Sequence, residues 1–412
     1  MTQHSRPIHL GEMIWLGAVA FSNALGSVIV FPLAPFIADG LSVPVQDVAF
    51  TSLCFNGAAG LGGLASAFFF GRLGGRRALL ATLSGLTVAT AASALALDFN
   101  MLLLTRLLAG LCAGPLLAVT FSTAAELAPA RGRNRALGAI VGSYGLAFLF
   151  GSPIALALVS LAGGWRAPFL AMAVMCLTLS VRTALAVRRA QTESARGASE
   201  PLNSGSLAAI LMRPGSATGL LLTAGASFST LLISPHLATF AIKNVGASPA
   251  ELGSIYVIGG GLALLTTGST GWVMDRCRPR AASLAVGGVL TVLLAYAFVS
   301  PVLLPFTIPV LGFVLAAQLA RSTVAQASAT RVPRASDRIA YQCLVSAVTS
   351  LAQAAGAGLS ALLLSERADG HLIGIEWPAL ISISICWLSL WLVVRLERQI
   401  SAIASFIDSP RT

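Results

Sequence analysis

The side chains in this sequence with the means to do chemistry are few and are set among apolar residues. Arg106 stands in Thr105-Arg106-Leu-Leu-Ala-Gly110, with Gly110 and Gly114 at i+4 and i+8. On a helix, a guanidinium and a groove of small residues would therefore share one face. Arg321 has Gln318 at i−3 and Gln326 at i+5. His236 follows Pro235, which interrupts a helix by removing a backbone donor. An imidazole there suits proton carriage, solute contact or a structural hydrogen bond. Asn23, Tyr256 and the neighbours Tyr341 and Gln342 offer hydrogen bonds to a small molecule or to another helix. Asp275-Arg276, with Arg280 beyond, and Arg72 with Arg76 half a chain earlier have the charges to hold a conformational latch. The pattern contains no catalytic constellation. The histidines at 4, 8, 236 and 371 and the six cysteines lack metal or disulfide spacing. The single lysine, Lys243, stands in Ala-Ile-Lys-Asn and cannot complete a Gly-Lys-Ser/Thr phosphate loop, and glycines 259–261 open no βαβ unit. The expectation is a non-enzyme with no metal or cofactor.

The elements that must position these residues follow from composition. Of 412 residues, 56% are hydrophobic and 10% charged, against about 25% charged in a soluble domain. A single soluble core stops growing near ~250–300 residues, so this chain needs lipid as solvent. A bilayer takes about 20 apolar residues per helix, and twelve such runs are present: 13–37, 48–70, 78–97, 101–125, 136–161, 167–187, 216–241, 251–274, 281–300, 305–328, 340–364 and 377–395. Continuous runs favour helices over the short alternating strands of a β-barrel. The first run is longer than the ~7–15-residue core of a secretory signal and reads as an uncleaved helix.

The connections divide by charge. One side carries Arg6; Arg72, Arg76 and Arg77; Arg131, Arg133 and Arg135; Arg182, Arg188, Arg189, Arg196 and Arg213; Arg276, Arg278 and Arg280; Arg331, Arg334 and Arg338; and Arg395, Arg398 and Arg411. The other keeps Arg166, Lys243 and Arg367 among Asp39, Asp47, Asp98, Glu251, Glu366, Asp369 and Glu376. The positive-inside rule makes the arginine-rich side cytoplasmic and puts both termini there. The net charge of +11 is thus topological, and no nucleic-acid partner is expected.

The six spans of residues 1–187 are followed by a polar Gly/Ser/Pro-containing linker, 188–214, and six more spans in 215–412. Gly71-Arg72-Leu73-Gly74-Gly75-Arg76-Arg77 after helix two is echoed by Gly271-Trp272-Val273-Met274-Asp275-Arg276 after helix eight. The reading is an all-α membrane protein of two repeated six-helix bundles, with a binding site near the midplane between them. Gly271-x-x-x-Asp275-Arg276, Arg106-x-x-x-Gly110 and Gly151-Ser152-Pro153 resemble signatures of the major facilitator superfamily, in particular its bacterial drug and metabolite exporters of the arabinose-efflux-permease type. The first-half copy departs from pattern, with Gly71 where an Asp is usual, and the Gly pair that usually follows Pro153 is absent.

The resemblance implies a secondary transporter working by alternating access, exporting small amphipathic compounds or metabolites from a bacterial inner membrane as a monomer. Protons are the candidate coupling ion, yet every Asp and Glu falls at a predicted helix end or in a connection: Asp39 just beyond helix one, Glu126 at the close of helix four. Exporters of this group commonly hold a carboxylate within helix one, and here that stretch reads Asn23-Ala24-Leu25-Gly26-Ser27. Facilitated diffusion or uptake of a small anion attracted by Arg106 and Arg321 is a second reading. A non-transporting receptor or scaffold with the same fold is a third. Asn23, Arg106, His236, Tyr256, Gln318, Arg321, Tyr341 and Gln342 are the candidate substrate-binding residues. Arg72, Arg76, Asp275, Arg276 and Arg280 are the candidate latch, and Gly110, Gly114, Gly151 and Pro153 the candidate helix-packing positions.

Overall fold

The computed structural model describes residues 10–69, 75–127, 140, 142–190, 210–276, 278–299, 306–333, 338–367 and 370–408. Its first six spans are α1 (Leu10–Val28) with α2 (Val30–Leu41), α3 (Ala49–Phe69), α4 (Gly75–Ala94), α5 (Phe99–Leu127), α6 (Ser152–Ala162) with the turns before it, and α7 (Arg166–Ala190). The second six are α8 (Ser216–Ile233) with its broken extension, α9 (Pro249–Arg276), α10 (Pro279–Leu294), α11 (Thr307–Ala329), α12 (Arg338–Leu363) and α13 (Glu376–Asp408). Among the described residues, eleven helices are long and apolar enough to cross a membrane, or twelve when α1 and α2 count as one bent span.

The two sets repeat one packing pattern. α5 packs on α1, α3 and α4, and α11 on α8, α9 and α10; α4 meets α7 as α10 meets α13. Large apolar side chains such as Val88, Leu161, Leu265, Val292 and Leu362 stand exposed on the outer surface. Lipid stabilises such a surface where water would not.

Two expectations need correction. The first span is not one straight helix: α1 and α2 meet at 45°. The break falls at Ile29, directly after Val28, whose carbonyl lies four residues before Pro32 and is displaced by the proline ring. Asp39 consequently lies inside α2 rather than beyond a helix end. The seventh span is interrupted at Pro235, as its sequence leads one to expect. α8 stops at Ile233, and a 3₁₀ turn Ser234–His236 containing Pro235, a short turn Leu237–Thr239 and a π turn Phe240–Asn244 complete the crossing. Between α12 and α13 lies an unexpected antiparallel hairpin, β1 (Ser365–Glu366) with β2 (Leu372–Ile373), in the register Ser365↔Ile373 and Glu366↔Leu372. Its turn and exit need Gly370 and Gly374 at positive φ, 85° and 88°.

Candidate transport pathway between the two halves

The halves meet along two helix pairs. On α3 and α12, a Cβ on Gly60 would come within 2.8 Å of Leu351, and one on Gly57 within 3.5 Å of Ala354. Across the fifth and eighth spans, Gly145 faces Leu264 at 2.8 Å from its would-be Cβ, and Gly260 abuts the Leu149 backbone. Residue types without side-chain bulk thus set the approach of the two halves. The fifth span reaches this contact through a π turn, Ala147–Gly151, directly before Ser152-Pro153. Pro153 cannot donate to a carbonyl in the preceding turn, and a wider turn absorbs the missing bond. Gly151 lies under Leu25 of α1.

That turn presents Phe148 between Phe31 of α2 and Tyr256 of α9. The ring centroids lie 6.1 Å apart for Phe31–Phe148 and 6.3 Å for Phe148–Tyr256, the latter pair only 3° from parallel. Two rings belong to the first half and one to the second. Tyr256 is fully buried, and its hydroxyl has no hydrogen-bond partner among the described residues. Asn23 Oδ1 on α1 is likewise buried without a partner. Such atoms mark where a solute or water makes the missing bond. Tyr256→Phe should therefore leave thermal stability within about 0.5 kcal/mol of the parent, since the hydroxyl makes no protein bond to lose. Reduced solute affinity in the same variant would show the hydroxyl at work, and unchanged affinity would exclude it.

Among the described residues, two buried arginines sit inside the bundles, one in each. Arg106, eighth residue of α5, is neither at the surface nor on an open wall: it is 0% exposed. Its Nη2 donates to the Gly26 carbonyl of α1, and its guanidinium lies 4.3 Å from the Phe55 ring centroid and 5.9 Å from that of Phe169. Nε and Nη1 have no partner among the described residues. At full burial Arg106 does not snorkel to the membrane surface. Arg321 on α11 donates through Nη2 to the Ala226 carbonyl of α8 at 2.7 Å and to Gln318 Oε1 at 2.9 Å, while Nη1 reaches Cys386 Sγ at 3.7 Å. Gln318 Nε2 donates in turn to Ser382 Oγ at 3.3 Å and the Ser229 carbonyl at 3.4 Å, and the Ser229 and Ser382 hydroxyls bond each other. Each arginine thus ties the fourth span of its half to a carbonyl of the first, a correspondence that extends the sequence repeat into the core.

At the end of the molecule that holds α2 and the hairpin, polar contacts cross the halves. Lys243 Nζ lies 3.8 Å from Asp39 Oδ1, and the Val45 amide donates to Glu366 Oε2 at 3.2 Å. Asn244 holds β2 from beneath, donating to the Leu372 carbonyl at 2.9 Å and accepting from its amide at 3.1 Å. His236, 1% exposed, pairs through Nε2 with Ser360 Oγ at 2.8 Å and so fastens the broken seventh span to α12.

The candidate binding residues therefore separate. Tyr256 lies in the seam between halves; Gln318 and Arg321 share one network inside the second half; Arg106 lies inside the first. Tyr341 donates to the Ser216 carbonyl at 3.3 Å near the start of α8, and the half-buried Gln342 adjoins it. Among the latch candidates, Arg76 pairs with Glu12 of its own half at 3.7 Å, with both side chains over a third exposed, and Arg280 is exposed. Arg72 and the side chains of Asp275 and Arg276 lie outside the described residues. Gly110 and Gly114 lie against the Phe55 and Ala59 carbonyls of α3. Sequence reading missed Phe31, Phe148, Ser27 with its acceptor Asn56, and the Asp39–Lys243 pair. Only Lys243 carried a signal, as the single lysine.

Comparison with known proteins adds the following. The family model described as Major Facilitator Superfamily matches residues 16–320. A chloramphenicol efflux pump of Mycobacterium tuberculosis is 39% identical over 119 residues, 29% of this chain and 27% of that protein. A triacylglyceride transporter of Mycolicibacterium smegmatis is 35% identical over 98 residues, 24% of this chain and 18% of that one. An MFS-type transporter of Bacillus subtilis is 27% identical over 171 residues, 41% and 40% of the two chains. These matches span less than half of each relative's length. A crystal structure of a bacterial homolog to the human lysosomal transporter Spinster, in an inward-facing and occupied conformation, superposes with a TM-score of 0.73 at 17% identity, covering 96% of this chain and 98% of that one.

Proposed function

This chain belongs to the Major Facilitator Superfamily, and we propose that within it the protein is a secondary active exporter of small amphipathic compounds, cycling by alternating access between halves 1–187 and 215–412. The termini are cytoplasmic in this reading, by the arginine distribution, so the end bearing Asp39, Lys243 and Glu366 faces outward and is closed. The observation that carries the reading is a difference in how the parts are joined. Inside each half, a buried arginine is bonded to a carbonyl of a neighbouring helix. Between the halves at the outer end stand an ion pair with side chains 29% and 71% exposed and a hydrogen bond from the Val45 amide to Glu366. Exposed pairs contribute about 0.2–1 kcal/mol, so the halves can part while each bundle stays intact. Export of amphipathic compounds is supported by the similarity to the chloramphenicol efflux pump of Mycobacterium tuberculosis and by the aromatic seam of Phe31, Phe148 and Tyr256.

Proteoliposomes loaded with chloramphenicol and with a panel of amphipathic compounds test the reading, with an imposed pH gradient as a second variable. Flux that follows the gradient supports proton antiport. Flux indifferent to it supports facilitated movement, which the lack of a carboxylate within α1 beyond its first turn also favours. No flux for any compound would leave the receptor reading.

Lys243→Gln should loosen the outer end. Removing up to ~1 kcal/mol from the closed state raises the open population by up to about fivefold. Ala238, 0% exposed in the turn that packs against α2, is the place to measure it. On a cysteine-free background, maleimide labelling of Ala238→Cys should quicken by that factor when Lys243 is replaced. An unchanged rate would show the pair to be idle.

A further inference from the structure

A cavity of about 400 Å³ opens away from the seam, in the second half, at the end where α9 gives way to α10 and where α11 finishes. Arg278, Arg280 and Arg331 line it, with Pro279, Val393 and Leu396 as a buried apolar floor; Ser328 and one carboxylate, Glu397, complete the wall. The three arginines are exposed, whereas Glu397 is half-buried. Among the described residues, three guanidinium groups against one carboxylate leave a surplus of positive charge in a recess large enough for a small molecule.

The depth of the recess in the membrane is fixed by α13. Trp391 is 54% exposed on that helix, and the Arg395 guanidinium lies 5.3 Å from its ring centroid, one turn on. An exposed indole capped by a cation is the arrangement expected at the lipid headgroup level. Val393, Leu396 and Glu397 of the cavity occupy the same turns, so the recess opens among headgroups.

We propose that this cavity seats the phosphate-bearing headgroup of an anionic lipid. Arg278 and Arg280 supply charge-assisted hydrogen bonds to phosphate oxygens, Arg331 completes the positive wall, and the apolar floor receives the glycerol and the first acyl carbons. The uneven charge selects an anionic headgroup over a zwitterionic one. The proposal goes beyond the transport reading and stands whether or not any solute is moved.

The test uses purified full-length protein, delipidated in a neutral detergent, with phosphatidylglycerol, phosphatidylcholine or inorganic phosphate added. Phosphatidylglycerol should raise the melting temperature at concentrations about tenfold or more below those at which phosphatidylcholine does, and inorganic phosphate alone should give little. In Arg278→Gln/Arg280→Gln that preference should fall to near parity, while Arg278→Lys/Arg280→Lys should keep most of it. Native mass spectrometry, counting retained phosphatidylglycerol, gives a second readout independent of the variant's own melting. An undiminished preference in the glutamine variant would overturn the site. A full gain from inorganic phosphate alone would overturn the lipid assignment in favour of a free-anion site.

Discussion

Gly114→Val is expected to yield almost no folded protein, at least tenfold less monodisperse material by size-exclusion chromatography than the parent. Gly110 and Gly114 put the backbone of α5 directly against that of α3: a Cβ at either position would lie inside the van der Waals envelope of the Phe55 or Ala59 carbonyl. The fit is reciprocal, since a Cβ on Gly62 of α3 would meet the Leu111 carbonyl at 2.7 Å and Pro115 at 3.2 Å. Backbone cannot rotate away as a side chain does. Nor can α3 retreat, because its other face is pressed on α12 through Gly57 and Gly60. Overpacking a core costs about 1–3 kcal/mol where side chains can adjust, and more where they cannot. In a membrane, close packing is itself a main source of helix association. Gly253→Ala is the matched control: a Cβ there meets nothing within 4 Å, and its yield should equal the parent's.

Arg106→Met should separate folding from transport. The variant loses a charge-assisted hydrogen bond to the Gly26 carbonyl, about 1.5–3 kcal/mol, and a cation–π contact with Phe55, about 0.5–2 kcal/mol. It also sheds a buried charge whose insertion costs ~2.5–3.5 kcal/mol. Methionine fills much of the same volume, so the balance should fall within about 2 kcal/mol of zero and the bundle should survive. Solute flux, by contrast, should fall at least tenfold. A guanidinium held 0% exposed with two nitrogens unpartnered is expensive as a brace, and the expectation is that transport uses those free donors as the helices shift. Full flux in a folded Arg106→Met protein would reduce Arg106 to a brace. A collapse in melting temperature with normal flux in the surviving protein would do the same.

The helices and their repeat were legible because lipid imposes a simple demand: long apolar runs with arginines at alternate ends. What the runs could not convey is which of their prolines bends a helix. Pro32 breaks the first span and Pro235 the seventh, yet Pro35 sits inside α2 and Pro115 inside an uninterrupted α5, so proline alone does not decide; neighbouring helices do. Arg106 and Arg321 stood out as charges within apolar runs. Their acceptors did not, because the carbonyls of Gly26 and Ala226 belong to the backbone and leave no trace in residue type. The Asp39–Lys243 pair joins residues half a chain apart, and only the folded arrangement reveals it. Phe31 and Phe148 read as ordinary apolar residues until the π turn before Pro153 sets one ring over the other.

In the proposed cycle the end bearing Asp39 and Lys243 must open for solute to pass. Asp39→Cys/Lys243→Cys on a cysteine-free background, joined by a short thiol-specific crosslinker and reconstituted in proteoliposomes, tests it directly. Chloramphenicol, or whichever panel compound the parent moves, should cease to cross when the link is closed and should cross again when a reducible linker is cleaved. Undiminished flux through the fully linked protein would show that this end need not open.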